Sequence, residues 1–234
     1  MSSQHSEPRR TYDSSRRREQ AQLRRAAILD ACHKVLVQAG YAGLTIRAVA
    51  EAAAVSQETI YKTFGGKRGL VKALYDVTLA GDHEPVALAQ RPAVAALLAE
   101  LDPHAKVAAY ARLARQISER LGAITAALNA GGAEAAEIAA ETERERFAGV
   151  SGFVGNLAAT GHLRPGLDPT HAADACWVLI SPQVFQLCIA DRGWSADTYE
   201  SWLAQMLTAT LLAPRMPPRA TRRNTPDRRP SSAS

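Results

Sequence analysis

Six of the eight residues from Gln57 to Phe64, QETIYKTF, carry groups that can hydrogen-bond or touch a methyl group, and two do not. Ile60 and Phe64 are four apart, so on a helix they share one face and leave Gln57, Glu58, Thr59, Tyr61, Lys62 and Thr63 on the other. What those side chains offer is recognition. Gln can bridge an adenine edge with two hydrogen bonds, and Glu can accept from the cytosine amino group. Thr and Tyr reach thymine methyls or phosphate oxygens, and Lys pairs with phosphate. Bond-making chemistry has no comparable signature in the chain: there is no G-x-S-x-G elbow, no P-loop and no H-E-x-x-H. Gly65 and Gly66 in FGGKRG lack P-loop spacing and read as the loop after the recognition segment, so no enzyme is expected.

A helix that presents such a face must be held by neighbours. Ser56 is placed to cap it, and Val55 to plug the corner before it. The preceding segment, Thr45 to about Ala53, has Ile46, Val49, Ala50 and Ala53 at helical spacing, with Thr45 as its N-cap. A long apolar helix comes first, carrying Ala27, Ile28, Ala31, Val35 and Leu36 and stopping at Ala39-Gly40-Tyr41. A lysine-headed helix follows, Lys67 to Ala80, with Leu70, Val71, Leu74, Tyr75 and Thr78 inward and Gly81 as its natural end. Two short helices joined by a tight turn in this setting are the layout of a helix-turn-helix DNA reader.

From Arg24 to about Asp76, roughly a quarter of the chain, the sequence LTIRAVAEAAAVSQETIYKTFGGKRGL and the helix before it resemble the TetR family of transcriptional regulators. The resemblance implies phosphate or base contacts from Thr45 and Arg47 at the start of the second helix. It further implies base contacts from Gln57 and Thr59, and backbone contacts from Tyr61, Lys62 and Lys67, with Ser56 and Glu58 on the same surface. Two positions depart from the pattern. Ala54 stands where Gly is usual in the turn, at a cost of about 1–2 kcal/mol if it is left-handed, and Gly65-Gly66 replace polar residues.

The remainder is expected to be all-α, giving about nine helices in total. A short helix should follow Pro92 and end near Glu100. Asp102-Pro103 caps a longer one, with Val107, Tyr110, Ala114, Ile117, Leu121, Ile124 and Leu128 in alternating steps of three and four, ending at Gly131-Gly132. The next runs from about Ala133 to Thr160, with Glu141, Glu143, Arg144, Glu145 and Arg146 as a solvated, self-paired face. Asp168-Pro169 opens a helix through Ala190 that Pro182 should bend. Ser195 caps the last. The expected organisation is a disordered N-terminal arm over 1–15, a helix-turn-helix domain over 16–66, a helical effector-binding and dimerisation domain over 67–212, and a disordered basic tail over 213–234.

The net charge of +5 is unevenly spread: +3 over residues 1–18, +3 over 19–80, −6 over 81–212 and +5 over 213–234. A basic head and basic ends beside an acidic body suit a nucleic-acid reader whose body stays off the DNA. The arm with Arg16, Arg17 and Arg18 is expected just before the first helix, within reach of phosphates or a minor groove. The tail could add non-specific affinity. Cys32, Cys176 and Cys188 lack metal or redox spacing and read as small buried hydrophobes. Asp82-His83-Glu84 is a weak metal pattern, and neither a metal nor a cofactor is expected. No apolar run of about 18 residues and no signal peptide are apparent, so a cytoplasmic location is expected.

The resemblance places dimerisation on the last two helices. Trp177, Val184, Cys188, Tyr199, Trp202, Leu203, Met206 and Leu207 would form that interface, although an intramolecular core would look nearly the same. A homodimer reading a palindromic operator and released by a small, apolar molecule is the expected behaviour. Leu74, Tyr75, Tyr110, Leu113, Ile117, Phe147, Phe153, Trp177 and Phe185 are candidate pocket liners, equally suited to plain core. The alternative is an architectural or adaptor DNA-binding protein whose body recruits a protein partner and holds no small molecule.

Overall fold

The computed structural model describes residues 9–84 and 86–214, and among them the regular structure is helical, apart from a lone bridge between Leu163 and Leu212. The first helix, α1 (Arg9–Gly43), contains Gly40 at φ 67 and ψ 178, so its regular part stops there. The stop at Ala39-Gly40-Tyr41 is therefore where glycine's freedom in the left-handed region is used. The N-terminal end differs from expectation: residues 9–18 are helix, not an arm preceding one. From Arg9 to Ala39 the chain has no Pro or Gly and is rich in Arg, Gln, Ala and Leu, so nothing interrupts propagation. Residues 1–8 and 215–234, which include the rest of the arm and nearly all of the tail, lie outside the described residues.

Next come α2 (Ile46–Ala52), α3 (Gln57–Phe64) and α4 (Lys67–Ala80). Thr45 Oγ1 accepts from the Ala48 N–H at 3.1 Å, and Ser56 Oγ from the Thr59 N–H at 3.2 Å, so both expected caps are made. Gly65 and Gly81 close α3 and α4 in the left-handed conformation. Ala54, between α2 and α3, sits at φ 52, and among the described residues no other non-glycine has positive φ. Ala54→Gly should remove about 1–2 kcal/mol of strain while adding about 0.5–1 kcal/mol of unfolded-state entropy. A net stabilisation of up to about 1 kcal/mol, read as a rise of about 2–4 °C in Tm, is expected. A lowered Tm would show that the turn is not strained.

The body comprises α5 (Pro92–Ala99), α6 (Pro103–Asn129), α7 (Ala133–Ala159), α8 (Pro169–Leu179), α9 (Pro182–Gln186) with a π turn over Leu187–Asp191, and α10 (Ala196–Leu211). The helix expected from Asp168 through Ala190 is two helices. Pro182 has no N–H to continue the ladder, and Ser181 Oγ caps a fresh start at the Val184 N–H. With this break the described residues hold ten α-helical segments, in keeping with the count of about nine expected.

Two apolar cores hold these elements. The first joins Ile28, Leu36, Val49, Ile60, Leu70 and Leu74 of the head to Leu121, Ile124 and Leu128 of α6 and Ile138 of α7. Packing therefore does not divide at residue 66: the far ends of α6 and α7 belong to the head's core. The second core joins α6, α7, α8 and α10 through Val107, Phe153, Cys176, Tyr199 and Leu203. Burial pushes the Cys32 and Cys176 thiols up to about 12, so both stay protonated and inert. Segment 169–191 is apolar and long enough to pass as a membrane span by length and composition, contrary to the sequence reading. It is broken at Ser181-Pro182, and Ala172, Ala173 and Cys176 are packed in the second core.

Candidate nucleic-acid interface

Helix α3 is only two turns long and would not persist alone. Its position is set by Ile60, which is 0 % exposed, and by Phe64, which packs at the core's edge under the guanidinium of Arg25 of α1, 4.6 Å from the ring centre. Val55 fills the corner with α2, as expected. With Ile60 turned inward, Gln57, Glu58, Tyr61, Lys62 and Thr63 are exposed and Thr59 is half-buried. Tyr61 is 55 % exposed, with its ring and hydroxyl both open to a partner. Thr59 and Ser56 share a hydroxyl–hydroxyl contact of 2.9 Å, and the Thr63 hydroxyl donates to the Thr59 carbonyl at 2.7 Å. Those bonds fix the cap and spend the Thr63 hydroxyl inside the helix.

Thr45 and Arg47 stand exposed at the start of α2. Arg47 donates to Glu51 at 2.8 Å across an exposed i,i+4 pair, which raises its pKa. So exposed a pair is screened by solvent and leaves Arg47 able to exchange Glu51 for a phosphate. Lys67, for which the resemblance implied a backbone contact, also has partners within the chain. Its ammonium donates to the Tyr41 carbonyl at 2.7 Å and lies 4.1 Å from the centre of the Tyr41 ring. This ties the end of α1 to the start of α4, because the broken turn at Gly40 leaves a carbonyl nearby without a helical partner. The first turn of α4 has no side-chain cap at Gly66.

The groove beside α3 was not foreseen from sequence. Arg24 and Arg25 of α1 line it with Thr59 and Lys62 of α3. The available signal was that Ala21, Arg25 and Ile28 fall on one helical stripe, so that Arg25 must lie beside the head's core.

Helix α4 links the head to the body by polar contacts that sequence reading assigned to solvent. Arg68 donates to Glu137 and Glu141 of α7, both at 2.9 Å, and Lys72 pairs with Asp76 at 2.6 Å and with Glu145 at 3.0 Å. The Arg68 bond holds the Glu141 carboxyl below its usual pKa. Arg120 of α6 donates to the last carbonyls of α4, at Thr78 (3.0 Å) and Leu79 (2.9 Å). Of the expected self-paired face, the Glu143–Arg146 pair is present, at 2.6 Å. Glu141 and Glu145 instead face the cations of a neighbouring helix, a partner that local spacing does not reveal.

The candidate pocket liners do not converge. Leu74, Tyr75 and Ile117 belong to the first core, and Tyr110, Leu113, Phe147, Phe153, Trp177 and Phe185 to the second. Tyr110 and Phe153 stack at 3.7 Å, Phe147 meets Trp177 edge-on at 6.4 Å, and Phe185 meets Tyr199 at 5.0 Å. Arg146 covers the Trp177 ring at 4.6 Å. Among the residues expected at a dimer interface, Tyr199, Leu203 and Leu207 are instead core, 0 % exposed within one chain. The stripe of α10 that carries them faces α6 and α8. Trp177, Val184, Cys188, Trp202 and Met206 remain partly accessible, beside the exposed Val178 and Leu187. In the loop after α4, Arg91 takes Asp82 at 2.5 Å and Glu84 at 2.9 Å, which occupies two of the three weak metal candidates.

Residues 28–74 match the model of the bacterial regulatory proteins of the tetR family. An uncharacterised HTH-type transcriptional regulator of Bacillus subtilis, YvkB, is 49% identical over 47 residues, 20% of this chain and 25% of that protein. The matching part thus spans a quarter of that relative's length. The fold is similar to FadR of Bacillus subtilis, solved with stearoyl-CoA, at a TM-score of 0.63 and 17% identity, covering 79% of this chain and 98% of that one. It is also similar to NalD of Pseudomonas aeruginosa, the secondary repressor of the MexAB-OprM multidrug efflux pump, at 0.61 and 20%, covering 82% and 98%. At these identities the two structures speak for the fold alone. Residues 28–74 therefore carry the helix-turn-helix head of the tetR family of bacterial regulatory proteins, and the all-helical architecture around that head is similar in fold to the two solved structures.

Proposed function

We propose that the protein is a ligand-responsive transcriptional regulator that acts as a homodimeric repressor on a palindromic operator in the cytoplasm, without catalytic activity. The observation that carries this reading is the division of α3, with Ile60 fully buried and Gln57, Glu58, Tyr61 and Lys62 exposed on the opposite face. A single α3 touches too few base pairs to select one genomic site, so two copies related by a two-fold axis are needed. The partly accessible apolar surface on α8, α9 and α10, with Val178 and Leu187 exposed, supports pairing of two chains there. Relief of binding by a small molecule calls for unequal affinity toward two arrangements of the head, and α4, held by both α6 and α7, is the element that would transmit it. The apolar second core favours an apolar effector, for which stearoyl-CoA is a suitable first probe.

Selection of bound duplexes from a random library by the purified full chain should enrich a palindrome, and sedimentation at micromolar concentration should give a dimer. A monomer with no enriched motif would overturn the reading. Tight stacking of Tyr110 on Phe153 is the observation favouring the alternative, an adaptor whose body takes a protein partner. Operator binding that no added metabolite relieves would support it. On the selected operator, Gln57→Ala should relax discrimination at one or two base pairs by about 1–3 kcal/mol, whereas Tyr61→Ala should weaken specific and random DNA alike. Titrations of both variants against operator and scrambled duplexes measure this, and equal losses for Gln57→Ala on the two would remove it from base readout.

A further inference from the structure

A groove of about 480 Å³ runs along the side of α3, where Gln22, Arg24 and Arg25 of α1 face Thr59, Lys62 and Thr63. We propose that this groove seats the sugar–phosphate strand bordering the half-site, and that the part of α1 beyond it extends the contact onto DNA outside the bases α3 reads. The proposal rests on the DNA-reading function above. Three observations point to a polyanion here. The groove shares Thr59 and Lys62 with the reading face, so a duplex engaged by α3 lays one of its strands alongside it. Residues 16–25 are exposed and stand outside both apolar cores, so packing does not account for this length of helix. Over the same ten residues there are five Arg and one Glu.

Helix geometry carries the contact outward. Arg18 lies four residues before Gln22 and seven before Arg25, so it continues the groove's stripe one turn and two turns on. At 1.5 Å per residue, Arg18 stands about 10 Å beyond Arg25, a reach of about three base-pair steps. Arg25 is held over Phe64, so the groove's floor is preset by the core that orients α3.

Two duplexes carrying the selected palindrome test this, one ending at the half-sites and one extended by about one helical turn on each side, with affinity measured across salt concentration. For the parent protein, the slope of log K against log salt should be steeper on the extended duplex by about 3–4. That difference corresponds to one contact each from Arg18 and Arg24 in each of two protomers, at about 0.9 per phosphate. In the doubly substituted Arg18→Gln, Arg24→Gln protein the two slopes should coincide. Both side chains are exposed, and circular dichroism checks that the fold is kept. Equal slopes for the parent, with the palindrome still preferred over a scrambled sequence, would overturn the flanking contact and leave the reader standing. Absence of any palindrome preference would instead overturn the function on which the proposal rests.

Discussion

Ile60→Ala should destabilise the protein by about 2–5 kcal/mol and abolish selective DNA binding. Ile60 is 0 % exposed in the core shared by α1, α2 and α4. Truncation loses the transfer free energy of the removed carbons and leaves a cavity that the neighbouring helices, anchored by Val49, Leu70 and Leu74, can collapse only partly. The functional loss should exceed what the unfolded fraction explains, because a two-turn helix has little other means of holding its angle. Chemical denaturation and operator titration on the same preparation separate the two effects. Ile60→Val, which keeps the branch, should cost only about 0.5–1.5 kcal/mol and retain binding. A loss below about 1 kcal/mol for the alanine variant would mean that Ile60 does not anchor the reading face.

Gly69→Ala is the second large effect, and its cause is collision. A Cβ at Gly69 would lie on the backbone carbonyl oxygen of Phe64, closer than any real contact allows. Neither side can yield by rotating a side chain, so the junction of α3 and α4 must move, at a cost of about 1–3 kcal/mol. Operator affinity should fall with it, since α4 carries the position of α3. Gly65 is the informative comparison. An added Cβ there meets nothing within 4 Å, but its φ of 77 strains any other residue by about 1–2 kcal/mol. Gly65→Ala should therefore lower Tm without displacing the junction. If Gly69→Ala melts like the parent and binds like it, the packing described between Phe64 and α4 is wrong.

Local signals carried much of this architecture. Caps at Thr45, Ser56, Asp102, Asp168 and Ser195, and a glycine stop at Gly81, depend on a few consecutive residues, and the structure has them where short-range rules put them. What short-range rules leave open is which neighbour an apolar or charged stripe meets. Tyr199, Leu203 and Leu207 have the spacing of an interface and the burial of a core, since both demand the same periodicity. Glu141 and Glu145 looked self-paired because their cations, Arg68 and Lys72, lie some seventy residues away. That Lys67 also bonds within the chain was hidden, because the Tyr41 carbonyl that accepts its hydrogen bond is left open only once α1 breaks at Gly40. On the reading face the polar–apolar division of α3 was legible throughout; the flanking groove was not, because it needs α1 and α3 side by side.

The bonds from Arg68 and Lys72 to Glu137, Glu141 and Glu145 set a ceiling on switching. All join exposed or partly exposed partners, screened by solvent and each of little individual worth. An effector working by rearranging these three alone, in each protomer of a dimer, could change operator affinity only modestly. A larger induction ratio would require the shared apolar core between the head and the ends of α6 and α7 to repack as well. The dynamic range of any effector response would therefore report how deep into the molecule its signal travels.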